Sequence, residues 1–142
     1  MVPSENPERF SVLAVDDNEA HCYAMQKILK GFGYNVTCAT TGLSAVEQAK
    51  AGNFDAVLLD IHLPDIDGFE VLAQIRSAKE LEQPAVVFHS ATSATTSNLN
   101  RTSALDAEGF LTYPVEPEHI DTVIRGAIRR RRALNQKASK IR

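Results

Sequence analysis

Apolar residues in this chain fall into short unbroken runs that alternate with stretches where they recur every third or fourth position. The runs FSVLAV (10–15), YNVTC (34–38), FDAVLL (54–59), AVVFH (85–89) and FLTY (110–113) have strand length and are bounded by turn-forming residues. Runs this rich in apolar residues suit strands covered on both faces, as in a parallel sheet between helices. Helical periodicity predicts a first helix over 19–30, with Ala24, Met25, Ile28 and Leu29 inward, and a second over 42–51 that buries Ala45, Val46 and Ala49. A third follows Asp67, with Phe69, Leu72 and Ile75 at helical spacing. The last opens at Pro117, its stripe of Ile120, Ile124, Ala127 and Leu134 interrupted by Arg131. Asn18, Thr41 and Asp67 are the expected N-caps, and Gly31 and Gly33 the expected stop of the first helix. Residues 90–100 are dense in Ser, Thr and Asn, whose side chains compete for backbone hydrogen bonds, so a fourth helix there is expected to be short and late-starting.

Five strands alternating with five helices imply an α/β fold, a single doubly wound five-stranded parallel sheet. The flavodoxin-like order 2-1-3-4-5 places strands one and three side by side at the switch point, with the ligand site at their carboxyl ends. A chain of 142 residues suffices for one domain. Residues 1–8 are expected as a disordered lead, 9–134 as the domain and 135–142 as a basic C-terminal tail. No run approaches the roughly 18 apolar residues of a membrane span. The N-terminus lacks the apolar stretch of a secretory signal. Cys22 and Cys38 are too few for a disulfide framework, so reduced thiols and a cytoplasmic location are expected. The net charge of −3 conceals a split. All 18 acidic residues lie at or before Asp121, whereas eight basic residues and no acidic one follow from Arg125 onward.

The chemistry gathers where strands end. Asp16 and Asp17 close the first strand and Asp60 closes the third, followed at once by LPDIDG. With strands one and three adjacent, the three carboxylates converge and repel by several kcal/mol at an effective dielectric of about 20. A hard divalent cation resolves that repulsion, and Mg²⁺ takes oxygen ligands of this kind. The alternative, that Asp16, Asp17 and Asn18 merely cap the first helix, requires only one of them. Ser90 ends the fourth strand on the same edge, as a donor to an anion over Asp60 or as a turn serine.

Asp16-Asp17 after strand one, Asp60 with LPDIDG, Ser90-Ala91 after strand four and Pro114 after strand five together resemble the receiver domain of two-component response regulators, over about residues 9–134. The resemblance implies that Asp60 accepts a phosphoryl group from a kinase histidine. It implies Mg²⁺ held by Asp60, by Asp17 directly, by Asp16 through water or from an outer position, and by the His62 backbone carbonyl. Ser90 would hydrogen-bond the phosphoryl group. Phe110 would be the aromatic on strand five that follows the motion of the loop after strand four. The face of the helix after strand four, strand five and the last helix would change on phosphorylation. Receivers usually carry a lysine immediately before the proline after strand five; here Tyr113 stands there, a phenol with one hydrogen bond to give and no charge.

The resemblance therefore implies a phosphoacceptor that assists its own phosphorylation and dephosphorylation without being an enzyme. Its partners would be a histidine kinase or phosphotransfer protein and a downstream protein. A pseudo-receiver that keeps the fold without switching is the rival reading, supported by Tyr113; a third is the receiver part of a longer hybrid sensor kinase. An aspartate-nucleophile phosphatase would carry a second aspartate two residues after the first, where His62 stands. A flavin site would need a Ser/Thr-Gly-rich loop after strand one. The basic tail reads as a solvated helix end, as a linker, or as a surface for self-association with the acidic body. Without interleaved aromatics or a DNA-binding helix pair, nucleic acid is not expected.

Overall fold

The computed structural model describes residues 9–90 and 107–141, with side chains to residue 137. Strands β1 (Ser11–Val15), β2 (Asn35–Ala39), β3 (Ala56–Asp60), β4 (Ala85–Ser90) and β5 (Gly109–Thr112) form one sheet in the order β2-β1-β3-β4-β5. Every pairing is parallel. Four helices occur among the described residues: α1 (Glu19–Gly31), α2 (Gly42–Ala51), α3 (Gly68–Ser77) and α4 (Pro117–Ile141). The helix expected between the fourth and fifth strands falls outside them.

Alternate residues of the inner strands are apolar in both directions, so helices cover both faces. Val12, Ala14, Leu58 and Val87 pack with Met25 and Leu29 of α1 and with Ile120 and Ile124 of α4. Leu13, Val15, Val57, Leu59 and Phe88 pack with Val46 of α2 and with Leu72 and Ile75 of α3. The expected caps form. Asn18 accepts from His21 N at 3.0 Å, Thr41 from Ser44 N at 3.1 Å and Asp67 from Glu70 N at 2.9 Å. Gly33 ends the turn after α1 with φ +94°, a conformation that suits glycine. Among the described residues no helix is long and apolar enough to cross a membrane.

Two expected inward residues lie outside the core. Ala24 is exposed, and the buried line of α1 is Cys22, Met25 and Leu29. The helix is rotated so that the Cys22 thiol meets the Ala14 carbonyl at 3.5 Å. Leu134 is 44 % exposed because α4 has by then reached the edge where the strands begin.

Arg131, which breaks the α4 stripe, is buried. Its guanidinium donates to Glu108 Oε2 at 2.6 and 2.9 Å, while Oε1 accepts from Arg76 at 3.1 Å and from Val86 N at 2.8 Å. One carboxylate at the root of β5 thus binds α3, β4 and α4 together. Neighbouring side chains extend the attachment. Arg132 meets Asp55 at 3.1 Å, and Asn135 donates to the Gln83 carbonyl at 3.1 Å. Arg130, Arg131 and Arg132 are therefore engaged with the body of the domain, and residues 135–141, expected as a tail, continue the same helix.

Removing one partner of a buried ion network leaves the others charged and desolvated. Glu108→Ala is expected to destabilise the fold by about 3–5 kcal/mol in urea unfolding. Arg131→Met should cost far less, since Arg76 still compensates Glu108. Equal losses would contradict the central role given to the carboxylate.

Candidate phosphoacceptor site

Val15 of β1 lies opposite Leu59 of β3, so the next residues of both strands emerge at one rim. Oxygens of Asp16, Asp17 and Asp60 lie there within 4.8 Å of one another. Asp16 is buried, with Oδ1 accepting from Asn18 N at 2.9 Å and Oδ2 3.6 Å from His21 Nδ1. Asp17 is exposed. Asp60 is half-buried, and its Oδ1 accepts from His62 N at 3.1 Å. Burial pushes the Asp60 carboxyl up to about 6; the His62 N–H partly opposes this, and the charges of Asp16 and Asp17 add to it. The raised proton affinity of the central carboxylate reflects its burial first and the neighbouring negative charge after it.

The turn after Asp60 is built residue by residue. Asp65 accepts from both Gly42 N and Leu43 N at 2.8 Å, capping α2 from a distant loop, and those N–H groups hold its carboxyl below the usual range. Asp67 caps α3. At Gly68 an added Cβ would stand 2.5 Å from the Asp60 carbonyl oxygen and 3.0 Å from Ile61 Cα. The glycine of the D-x-x-x-P-x-x-x-G pattern is thus needed because α3 begins in contact with the end of β3.

A cavity of about 740 Å³ opens beside the trio, lined among others by His21, His62, His89, Ser90 and Tyr113. Ser90 ends β4, and its carbonyl accepts from Tyr113 N at 3.1 Å. His89 is buried, with Nε2 3.1 Å from the Val15 carbonyl and its ring edge-on to Tyr113 at 5.5 Å. Burial lowers its affinity for a proton against the pull of Asp16. The Tyr113 hydroxyl is buried without a hydrogen-bond partner among the described residues. A buried hydroxyl left unpaired costs about 1–3 kcal/mol. Burial, with the charges of Asp16 and Asp60, pushes its ionisation up, so the phenol keeps its proton.

Asp16, Asp17, Asp60, His62, Ser90 and Tyr113 therefore share one cavity. Phe110 does not line it. It packs on the α2–α3 side of the sheet, 6.5 Å from Phe88 between ring centroids. Sequence reading missed His21, His89 and Asp65. His89 and Asp65 act through partners distant in the chain, whereas His21 faces Asp16 because Asn18 sets the first turn of α1. The all-oxygen trio, gathered within 4.8 Å, fits a hard divalent cation by its chemistry.

The fold and rim define a doubly wound domain with an acid-lined cleft at its switch point. The model of the response regulator receiver domain family matches residues 12–125, and the chain belongs to that family. It is 29% identical over 121 residues to the transcriptional regulatory protein ZraR of Escherichia coli K12, a match covering 85% of this chain and 27% of that protein. The chain thus spans about a quarter of that relative's length. Among solved structures it is similar to the N-terminal domain of a response regulator/sensory box/GGDEF protein from Carboxydothermus hydrogenoformans. That match has a TM-score of 0.76 and 28% identity, covering 87% of this chain and 97% of the other. The receiver domain of a sensor histidine kinase from Pseudomonas aeruginosa, solved with a magnesium ion coordinated in its active-site cleft, has the same fold. There the TM-score is 0.76 at 23% identity, over 85% of this chain and 98% of that one.

In metal-free protein the raised Asp60 affinity means that the folded state binds the proton more tightly than the unfolded chain, whose carboxyl titrates near about 4. Stability from this group is present at low pH and is lost as pH rises through about 6. With a chelator present, Asp60→Asn should be more stable than wild type at pH 7.5 by about 1 kcal/mol, a figure reduced for solvent exposure. Urea unfolding should show that advantage shrinking toward pH 4.5. A difference independent of pH would rule the electrostatic origin out.

Proposed function

We propose that this chain is a phosphorylation-controlled receiver in which Asp60 accepts a phosphoryl group from a phosphohistidine on a histidine kinase or phosphotransfer protein. The observation that carries the reading is the convergence of Asp16, Asp17 and Asp60 within 4.8 Å at a rim that also holds Ser90. Asp60 is the nucleophile. Its Oδ1 is engaged by the His62 N–H, which fixes the carboxylate plane and leaves Oδ2 for attack on phosphorus. Mg²⁺ would be held by the Asp60 and Asp17 carboxylates and the His62 carbonyl, with Asp16 acting through water or from an outer position, and would supply neutralisation of charge on the transferring oxygens. The Ser90 hydroxyl donates to the phosphoryl group.

The output runs through the loop after β4 and through β5, where Phe110 is the aromatic that follows Ser90. The face concerned comprises the segment after β4, β5 and α4, and a downstream protein, with self-association as one form of it, reads that face. The chain modifies no separate substrate, so it is a signalling protein of the cytoplasm rather than an enzyme. A pseudo-receiver remains the second reading because a neutral Tyr113 takes the place where the family usually has a cation.

Incubation with a small phosphodonor and Mg²⁺ should add one phosphoryl group by intact-mass measurement, and Asp60→Asn should abolish it. Tyr113→Lys should label as well. Labelling that persists in Asp60→Asn contradicts the acceptor assignment, and labelling of the lysine variant alone favours the pseudo-receiver.

A further inference from the structure

The Tyr113 hydroxyl has no hydrogen-bond partner among the described residues, and Tyr113 lines the cavity that holds the acidic trio. Its place is fixed from three sides. The backbone N–H is bound to the Ser90 carbonyl at 3.1 Å, so the two hydroxyl-bearing residues sit on neighbouring strand ends. The ring stands against His89, and His89 is held by the Val15 carbonyl. Asp16 and Asp60 are near enough to disfavour loss of the phenolic proton, which makes the group a donor and not a second anion. Among the described residues no lysine or arginine lines the cavity. His89, buried and poor at holding a second proton, supplies no charge in their place.

A phosphoryl group on Asp60 brings three non-bridging oxygens and up to two negative charges beside two further carboxylates. With one oxygen assigned to the cation and one to Ser90, the third is left to the β5 side of the cavity, where Tyr113 stands. We propose that the Tyr113 hydroxyl donates to that third phosphoryl oxygen, so that a neutral donor holds it beside Ser90. The inference rests on the acceptor reading of Asp60. It has two separable consequences. Loss of the hydroxyl weakens the phosphoryl-like ligand without touching the cation, whereas a lysine in its place repels the cation in the unphosphorylated protein.

Calorimetric titration of wild type, Tyr113→Phe and Tyr113→Lys with Mg²⁺ alone, then with beryllofluoride in saturating Mg²⁺, separates these effects. Tyr113→Phe should bind Mg²⁺ as wild type does and beryllofluoride roughly tenfold more weakly, the size of one hydrogen bond to a charged group. Its urea midpoint should equal or exceed that of wild type, because an unpaired buried hydroxyl has been removed, and this separates lost binding from lost folding. Tyr113→Lys should bind Mg²⁺ several-fold more weakly at low ionic strength, with the gap narrowing as salt is raised. Unchanged beryllofluoride affinity in Tyr113→Phe would overturn the proposal while leaving Asp60 as acceptor. A wild type that binds Mg²⁺ but neither binds beryllofluoride nor takes up phosphoryl would overturn both.

Discussion

Mutual repulsion among three carboxylates is the constraint around which this molecule is arranged. Their gathering follows from strand order alone. β1 and β3 are neighbours in register, so residues one position beyond Val15 and Leu59 have to share a rim. Local hydrogen bonds to Asn18 N and His62 N relieve part of the charge on Asp16 and Asp60. Burial of Asp60, together with the remaining charge of its neighbours, raises its proton affinity, a cost that a fold selected for stability alone would avoid. Destabilising charge kept at a strand end indicates a site, and here it stands in a chain of the response regulator receiver domain family.

Much of this was legible in the sequence because its causes are local. Unbroken apolar runs marked the inner strands, and Asn18, Thr41 and Asp67 marked helix starts because a cap is satisfied within three residues. The glycine eight positions after Asp60 was visible as a motif, and its reason, contact with the Asp60 carbonyl, came only with coordinates. What escaped was long-range pairing. Arg131 looked like a flaw in a helix stripe because its partner Glu108 lies 23 residues earlier in the chain. Asp65 gave no sign that it caps α2, since the helix start it serves lies 22 and 23 residues upstream. Ala24 and Leu134 were assigned inward by periodicity, which fixes the spacing of a buried face but not its rotation or where the neighbouring sheet ends.

The rim also separates two ways of handling an anion. Fixed cations hold phosphate through long-range attraction, and neutral hydroxyls hold it only at contact. The β4 and β5 ends contribute residues of the second sort, Ser90 and Tyr113, tied by the bond from Tyr113 N to the Ser90 carbonyl. Movement of either hydroxyl toward a bound group would therefore carry the end of the other strand. The β4–β5 edge and Phe110, three residues before Tyr113, lie along that path.

The Glu108 network gives α4 a mechanical character. At about 1.5 Å per residue the helix is a rod of roughly 37 Å. Its first turn follows the Tyr113–Val115 wall of the cleft, and its later turns are fastened at the opposite rim by Glu108, Asp55 and Gln83. Ile120 and Ile124 seat its early turns in the core while Glu108 clamps its later ones, so the helix is anchored along most of its length and would carry a displacement as a stiff whole rather than by bending.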